Sequence, residues 1–536
     1  MTHYLVAADA DQIQTFLFRS SRLREVIGGS MLLADFCTRV KDRLGMQAEV
    51  IISAGGGFRV EFAEASQAEA FKEALAEAFR QETGGTLTVV GPEIYEDGDF
   101  QQANQRLQQK LAEAKLDRPG CEAVFHLPVA AFCASCGVEI ATRYDTTMAE
   151  LPLAQQQRNY LCDACRSKAE HRHAERSVFY APFYTALSKE SAKQPAGAKD
   201  WNHIRSRYWD IPSDPADTLG ALDPTRYVAY LLADGNGMGR LFNQQKSPAE
   251  LRALSDRLEQ ALWTSLAAPV PYLAQRIEER DVQNRVCPVA PLIVGGDDVF
   301  AIVPARYALD SARLVCEVFE QQMEGKASLG IAVVICQNHY PYTLVHAFGE
   351  ELLARSKRMG KSLGGVSAVT FGVITGSELV ELGLVNGGNA LFRPTLQPYW
   401  VGRQANQHAE AGMPLSMLLE QRLALKNLPG KRKAELRALF NPLEIGKLDG
   451  DAQRQQWEKR FDDLRTRLDG ETVKKLAAGL AAPDEDVKKS SAFWRTVTRP
   501  DENAPYRAHW LLDLLEAWDY AYRLDLPDMV YELEEE

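Results

Sequence analysis

Residues 291–304 read PLIVGGDDVFAIVP. Two apolar runs, rich in Val and Ile, flank the four residues Gly295-Gly296-Asp297-Asp298. Runs of this composition separated by a short Gly/Asp segment have the signature of a β-hairpin. Paired carboxylates are costly inside a sheet, so they belong at the hairpin tip, where water or a metal reaches them. The stretch therefore reads either as a solvated turn or as a site of chemistry.

The flanking sequence separates these readings. Upstream, YLLADGNGMGRLF (230–242) is an apolar run closed by Asp234 and followed by an amphipathic helix. YLVAADADQIQTFLF (4–18) has the same form, and Asp9 and Ile13 match Asp234 and Met238 at identical spacing. VIISAGGGFRVEF (50–62), with an Ala/Glu-rich helix after it, matches 291–304 and the helix ARYALDSARLVCEVFEQQ. Aligning Gly55-Gly56 with Gly295-Gly296 sets Val60 and Phe62 opposite Phe300 and Ile302, the alternation of half-buried strands. It also places Gly57 and Phe58 where Asp297 and Asp298 stand. One α/β unit thus occurs twice, as strand, helix, hairpin and helix, and only the second copy carries the acid pair. The same hairpin can be built without aspartates, which favours metal and nucleotide as the reason for Asp297 and Asp298.

Asp234, Asp297 and Asp298 form the candidate catalytic and metal-binding set. Converging carboxylates repel unless a divalent cation neutralises them, and Mg²⁺ commonly joins carboxylates to substrate phosphates. Two such ions activate an attacking hydroxyl and stabilise a leaving pyrophosphate. In DGNGMG, Gly235, Asn236, Gly237 and Gly239 offer a loop whose backbone N–H groups can face phosphate or ribose. Gly295 and Gly296 permit a tight turn and close approach by a ligand. HAFGEELLARSKRMGKS (346–362) follows the apolar strand SLGIAVVIC and carries Lys357 and Lys361 on one helical face. A lysine there reaches terminal phosphates, although an isolated pair of this kind is more often a solvated face. Arg19, Arg22 and Arg24 are a weaker candidate for phosphate or RNA contact.

Nine cysteines occur without a signal-peptide pattern, which points to a reducing, cytoplasmic setting rather than a disulfide framework. Cys133-x₂-Cys136 and Cys162-x₂-Cys165 are spaced for a tetrahedral zinc, structural because four sulfurs close it. His171 and His173 are expected on the surface. Cys37, Cys121, Cys287, Cys316 and Cys336 are expected as packing residues. A net charge of −12 argues against a free-standing nucleic-acid coat. No apolar run is long enough for a membrane span. H-E-x-x-H and the His-Asp dipeptide are absent from the sequence.

The expected architecture is α+β: two ferredoxin-like palm domains of the nucleotide cyclase/polymerase kind, a zinc-binding insert and an α-helical C-terminal domain. The first palm is placed at 1–130, the zinc-binding domain and linker at 131–220, the second palm at 221–385 and the helical domain at 386–536. In order, DADQIQTFLFRSSRLREVIGGSMLL, the paired cysteine knuckles, DGNGMG with GGDD and SLGIAVV, and the helical tail resemble the large polymerase/cyclase-like subunit of type III CRISPR effector complexes. The Cmr-type branch is the nearest in pattern. The resemblance implies synthesis of cyclic oligoadenylates from ATP by 3′–5′ nucleotidyl transfer when target RNA is held, with Mg²⁺ or Mn²⁺ on Asp234, Asp297 and Asp298. It favours Lys357 over Lys361 as the triphosphate contact, and implies that the first palm binds the other ATP without a metal site. It implies partners that are other subunits of a ribonucleoprotein, with guide and target RNA met mostly through them. Many relatives begin with an HD nuclease domain. Here the first strand starts near residue 4, so no DNA cleavage is expected. The alternatives are a stand-alone nucleotide cyclase, a synthetase joining AMP to another acceptor, and a nucleotide-binding scaffold without catalysis.

Overall fold

The computed structural model describes residues 2–20, 22–44, 48–116, 130–144, 160–174, 179–193, 211–212, 214–279, 286–376, 391–402, 408–477 and 493–531. Cys121, the linker around 194–210 and the acidic end of the chain lie outside them. Contacts divide the chain into two compact units. One comprises Met1–Ala186, Gly237–Trp263 and Pro291–Phe300; the other comprises Leu187–Asn236, Thr264–Ala290 and Ala301–Glu536.

The first unit is built on β1 (Thr2–Ala10), β2 (Glu49–Ala54), β3 (Gly57–Phe62) and β4 (Leu87–Glu96), in the order β2-β3-β1-β4. All pairings are antiparallel, and Asp9 stands opposite Gly57 on one side and Thr88 on the other. Helices α1 (Ile13–Phe18), α2 (Leu23–Leu44), α3 (Ala65–Thr83) and α4 (Phe100–Leu116) accompany this sheet. Apolar residues on α3 at positions 68, 71, 75 and 79 are buried, the stripe that a 3.6-residue period creates. Leu5, Ala7 and Ile51 of the sheet share a core with Phe100, Ala103 and Leu107 of α4 and with Leu251. Leu251 comes from α9 (Pro248–Ala267), a helix of the second sequence copy. Arg252 on the same helix donates to Glu49 and to the Val50 carbonyl, at 2.8 and 2.9 Å.

A six-stranded sheet has the order β13-β11-β10-β7-β9-β8. Its strands are β7 (Tyr227–Asn236), β8 (Ala290–Gly295), β9 (Asp298–Pro304), β10 (Ser328–Gln337), β11 (Ser367–Val373) and β13 (Tyr399–Val401). β10 pairs antiparallel with β7 and parallel with β11. Every residue of β10 but the last is buried, which explains its continuous apolar sequence. Helices α11 (Ala308–Gln322) and α12 (Tyr342–Ser362) bury their apolar stripes against it.

The expected repeat is present, with a fourth strand closing each copy. Both helices that follow the strand-ending aspartates, α1 and α8 (Met238–Asn243), are six residues long and start four residues after the aspartate. Both are preceded by a left-handed residue, Gln12 at φ 46° and Gly237 at φ 73°. The hairpins correct the sequence alignment by one residue. Gly55 and Gly56 form the first turn, between Ala54 and Gly57, whereas Gly296 and Asp297 form the second, between Gly295 and Asp298. Gly56 and Gly57, not Gly57 and Phe58, are therefore the counterparts of Asp297 and Asp298. The cause is turn chemistry. Gly55 and Gly56 both take positive φ, but in the second turn only Gly296 does, so Asp297 occupies a position open to an L-residue.

The C-terminal region is largely helical, with α13 (Leu415–Ala424), α14 (Gly430–Leu439), α15 (Pro442–Ile445), α16 (Asp451–Arg465), α17 (Gly470–Ala477) and α18 (Leu511–Glu516). It also holds a three-stranded sheet of β12 (Phe392–Arg393), β15 (Tyr506–Ala508) and β14 (Arg495–Val497). Strands of two or three residues are too short for alternation to show in a sequence. Buried Asp513 accepts from the Leu396 N–H at 2.9 Å and the Tyr399 hydroxyl at 2.6 Å, tying this region to β13.

Candidate active site and cysteine centre

Asp234 lies near the end of β7, opposite Gly330 of β10. Lys357 Nζ, from α12, donates to Asp234 Oδ2 at 2.6 Å. This contact depends on Gly330: a Cβ there would lie 2.8 Å from Lys357 Cγ, so only glycine lets the lysine stem cross the strand. Lys361, one turn further, is exposed, so of the two helix lysines it is Lys357 that turns to the aspartate. Glu350 lies two turns before Lys357. Burial raises its pKa, Asp234 adds to the rise and Lys357 opposes it. Sequence reasoning named neither Gly330 nor Glu350. Their i−7 spacing and cross-strand position relative to Lys357 and Asp234 become meaningful only once strand register is known.

The other expected residues fall into two groups. Gly235 and Asn236 finish β7, Gly237 makes the left-handed turn, and Gly239 sits in α8 with open space where a Cβ would be. The Asn236 side chain donates to Ser328 Oγ at 3.0 Å and reaches the Val366 carbonyl at 3.5 Å, so in this state it ties strand ends together. Asp297 lies in the hairpin turn, Asp298 begins β9, and β9 is the sheet neighbour of β7. Gly295 does make a close backbone approach, but to Gly55 of the first hairpin: a Cβ on Gly295 would sit 3.1 Å from the Gly55 Cα. Gly296 has open space around its own Cβ position.

The first copy contains a matching ion pair that the sequence did not reveal. Lys115 of α4 donates to Asp9 Oδ2 at 2.5 Å and to the Ala10 carbonyl at 3.2 Å. Arg59 also faces Asp9; burial pushes the guanidinium down to about 10, which the Asp9 carboxylate opposes.

Cys133, Cys136, Cys162 and Cys165 bring four sulfurs within 4.8 Å of one another, and Cys136 Sγ lies 3.9 Å from Cys162 Sγ. A tetrahedron with Zn–S bonds of about 2.3 Å has edges near 3.8 Å, so the donor set fits zinc. Among the described residues this is the group of three or more His, Cys, Asp or Glu that meets such a spacing. Gly137 supplies the positive φ that turns the first knuckle, and its N–H bonds the Cys133 carbonyl at 2.9 Å. His171 binds the Ser167 carbonyl through Nδ1 at 2.9 Å and takes no part in the sulfur cluster. Cys37, Cys287, Cys316 and Cys336 are buried, as expected of packing residues.

The basic segment of the first copy holds this cysteine module. Arg19 pairs with Glu139, and the buried Lys168 donates to the Phe16 carbonyl while lying over the Phe16 ring. Ser135 donates to buried Glu25, which Arg22 also approaches at 3.4 Å. Arg19 and Arg22 therefore have intramolecular partners where the sequence offered them to phosphate. Arg19 and Lys168 also set positive charge beside the thiolates.

A sheet carrying a strand-end aspartate, an acidic hairpin on the neighbouring strand and a lysine from the backing helix defines a palm of the nucleotide cyclase/polymerase class. Residues 227–363 match the family model described as "Cas10/Cmr2, second palm domain". The match is confined to the second palm, and the family it names agrees with the resemblance read from the sequence. Among solved structures, a Csm1-Csm4 cassette in complex with cA3 matches 97% of this chain and 70% of its own, at 14% identity and a TM-score of 0.51. A Csm1-Csm4 cassette in complex with one ATP gives the same coverage and identity, with a TM-score of 0.50. These matches show a shared fold. Of the apo Csm1-Csm4 cassette the chain covers 54%, at 16% identity and a TM-score of 0.43, so it spans about half of that longer chain. No curated protein matches the sequence. No described helix is long and apolar enough to cross a membrane.

Proposed function

We propose that this chain joins ATP into cyclic oligoadenylates as the catalytic large subunit of a type III CRISPR ribonucleoprotein, with synthesis switched on by bound target RNA. The observation that carries the reading is the acid pair in a family-matched palm whose sister hairpin has glycines at the same turn positions. In the first copy Gly57 lies opposite Asp9. Gly57 corresponds to Asp298 and Asp9 to Asp234, so the acid pair stands at turn positions that the first copy fills with glycine. The solved relatives bound to cA3 and to ATP are consistent with this substrate and product class.

In this reading Asp234, Asp297 and Asp298 hold Mg²⁺ or Mn²⁺. The bound ions would polarise the α-phosphate and lower the cost of charge on the attacking oxygen. Lys357, already beside Asp234, moves its ammonium to the triphosphate when ATP arrives. Gly235, Asn236, Gly237 and Gly239 line the nucleotide, and Gly296 leaves room beside the turn. The 3′-oxygen of one nucleotide forms a bond to the α-phosphorus of another. The bond to the bridging oxygen breaks, the electron pair leaves with pyrophosphate and the hydroxyl proton passes to water. The first palm binds the second ATP through its Lys115 and Arg59 charges. The cysteine module is structural and holds Zn²⁺.

The test is incubation with each labelled nucleoside triphosphate and Mg²⁺ or Mn²⁺, with and without the assembled guide and target RNA, and products read by mass spectrometry. Expected are pyrophosphate and 3′–5′-linked adenylate rings from ATP alone among the four. Asp297→Asn/Asp298→Asn is expected to lower the rate by at least about 10³-fold, the scale of removing metal and transition-state charge stabilisation. A double variant as fast as the parent would overturn the site.

A further inference from the structure

We propose that Gly55, at the tip of the first hairpin, is a positioning residue for the Asp297–Asp298 turn. The functional consequence rests on the reading above; the structural one does not. Gly55 has φ +59°, and a Cβ built on it would lie 2.3 Å from the Gly296 nitrogen and 2.7 Å from the Gly295 carbonyl carbon. Both are backbone atoms, so no side chain can swing aside to make room.

The first tip is anchored to its own sheet. Gly56 packs on β1, where its Cβ would stand 2.9 Å from Ala10 Cβ, and the Ala10 N–H bonds the Gly56 carbonyl at 2.9 Å. The acidic hairpin has a second fastening to the same copy: the Phe18 and Phe300 rings meet edge-on at 5.2 Å, two residues beyond Asp298. Outside the repeat, the Tyr180 hydroxyl donates to the Pro291 carbonyl at 2.8 Å at the far end of β8. The first hairpin, whose turn carries no acids, is the backstop that sets where Asp297 and Asp298 point. Relieving a methyl group at 55 requires about 1 Å of movement at the acidic turn, and misplacement of that size costs about 10²-fold in a positioned reaction.

Gly55→Ala in the full chain tests this against Gly325→Ala, which has the same strain (φ +71°) but nothing within 4 Å of its Cβ. Amide hydrogen exchange of residues 291–304 is expected to quicken about tenfold in Gly55→Ala and to stay at the parent rate in Gly325→Ala. Mn²⁺ binding followed by electron paramagnetic resonance without nucleotide should weaken about tenfold in Gly55→Ala alone, with KM for ATP within about twofold of the parent. Identical exchange and Mn²⁺ affinity in the two alanine variants would overturn the proposal. Should Gly55→Ala fail to fold, Phe18→Leu takes its place: it keeps Gly55, loses the ring contact, and must shift the same two readouts in the same direction, or the proposal falls. Exchange and Mn²⁺ binding need no ATP chemistry. A parent chain that makes no adenylate product would therefore overturn the proposed function and leave this inference standing.

Discussion

The two copies of the repeat agree where the fold needs them to agree and part where chemistry begins. Each carries an aspartate near the end of its first strand, follows it with a left-handed residue and a six-residue helix, and pairs the aspartate with a lysine from the helix after its fourth strand. The pairs are Asp9–Lys115 at 2.5 Å and Asp234–Lys357 at 2.6 Å. The hairpins differ. Beside Asp9 stand Gly57 and the Arg59 guanidinium, leaving one carboxylate against two cations. In the second copy the Asp234–Lys357 pair is accompanied by a hairpin that carries Asp297 and Asp298. The first copy thus adds a cation where the second adds two acids, on the same backbone plan. An ion pair present in both copies belongs to the plan; in the proposed reading the acids present in one belong to the reaction.

The largest expected effect comes from breaking this asymmetry directly. Asp234→Asn should lower adenylate synthesis by about 10³-fold or more, because in the proposed reading it removes a metal ligand. Asp9→Asn removes only a partner of Lys115 and Arg59 and should cost less than about tenfold. Steady-state rates under saturating Mn²⁺ decide it. Equal losses would mean that the first copy also holds a metal.

Much of the repeat was legible because it rests on local signals. The Asp9–Ile13 and Asp234–Met238 spacing marks two real helix starts, and the paired CxxC knuckles do gather four sulfurs. The turn register was not legible. Gly-Gly was matched to Gly-Gly by letter, whereas the backbone aligns residues by φ, and only Gly296 of the second pair is left-handed in the turn. Lys115 was missed because the ion pair spans 106 residues, and only strand register shows that α4 corresponds to α12. Arg19 was offered to phosphate because its partner Glu139 is 120 residues away. Side chains whose partners are distant in sequence keep their roles hidden until the fold is known.

Matching Lys115 with Lys357 pairs the rest of the two helices as well, so that buried Asn104 stands where the second copy has His346. Burial pushes the His346 imidazole down to about 4. The folded state therefore holds it neutral while the unfolded chain takes up a proton near pH 6.5. Its contribution is full above about pH 6.5 and is lost as pH falls towards about 4, because the unfolded state binds more protons in that window. Glu350, 3.6 Å from the ring, moderates the loss. His346→Asn, which copies the first palm, should remove this dependence. The stability advantage of the parent over the variant should shrink by at most about 3 kcal/mol between pH 6.5 and 4, read by amide exchange of residues 342–362. A gap that does not change with pH would show that the imidazole titrates normally.

The smallest expected effects separate the two lysines, and they sharpen the comparison most. Both ion pairs are partly exposed, so each contributes only about 0–1 kcal/mol to stability and neither variant should unfold the chain. If the lysines serve solely to neutralise their aspartates, Lys115→Met and Lys357→Met will behave alike and leave KM for ATP unchanged. If they turn to phosphate when ATP arrives, each will raise KM with little change in kcat, the mark of lost ground-state binding. The copies should then differ in metal dependence. Lys357→Met frees Asp234 from a competing cation, so its Mn²⁺ midpoint should fall while KM for ATP rises about tenfold. Lys115→Met, beside a site without metal ligands in its hairpin, should raise KM by about threefold and leave the Mn²⁺ midpoint where it is. A Mn²⁺ midpoint that moves equally in both variants would mean that the two palms share one metal site, and the division of labour between them would have to be abandoned.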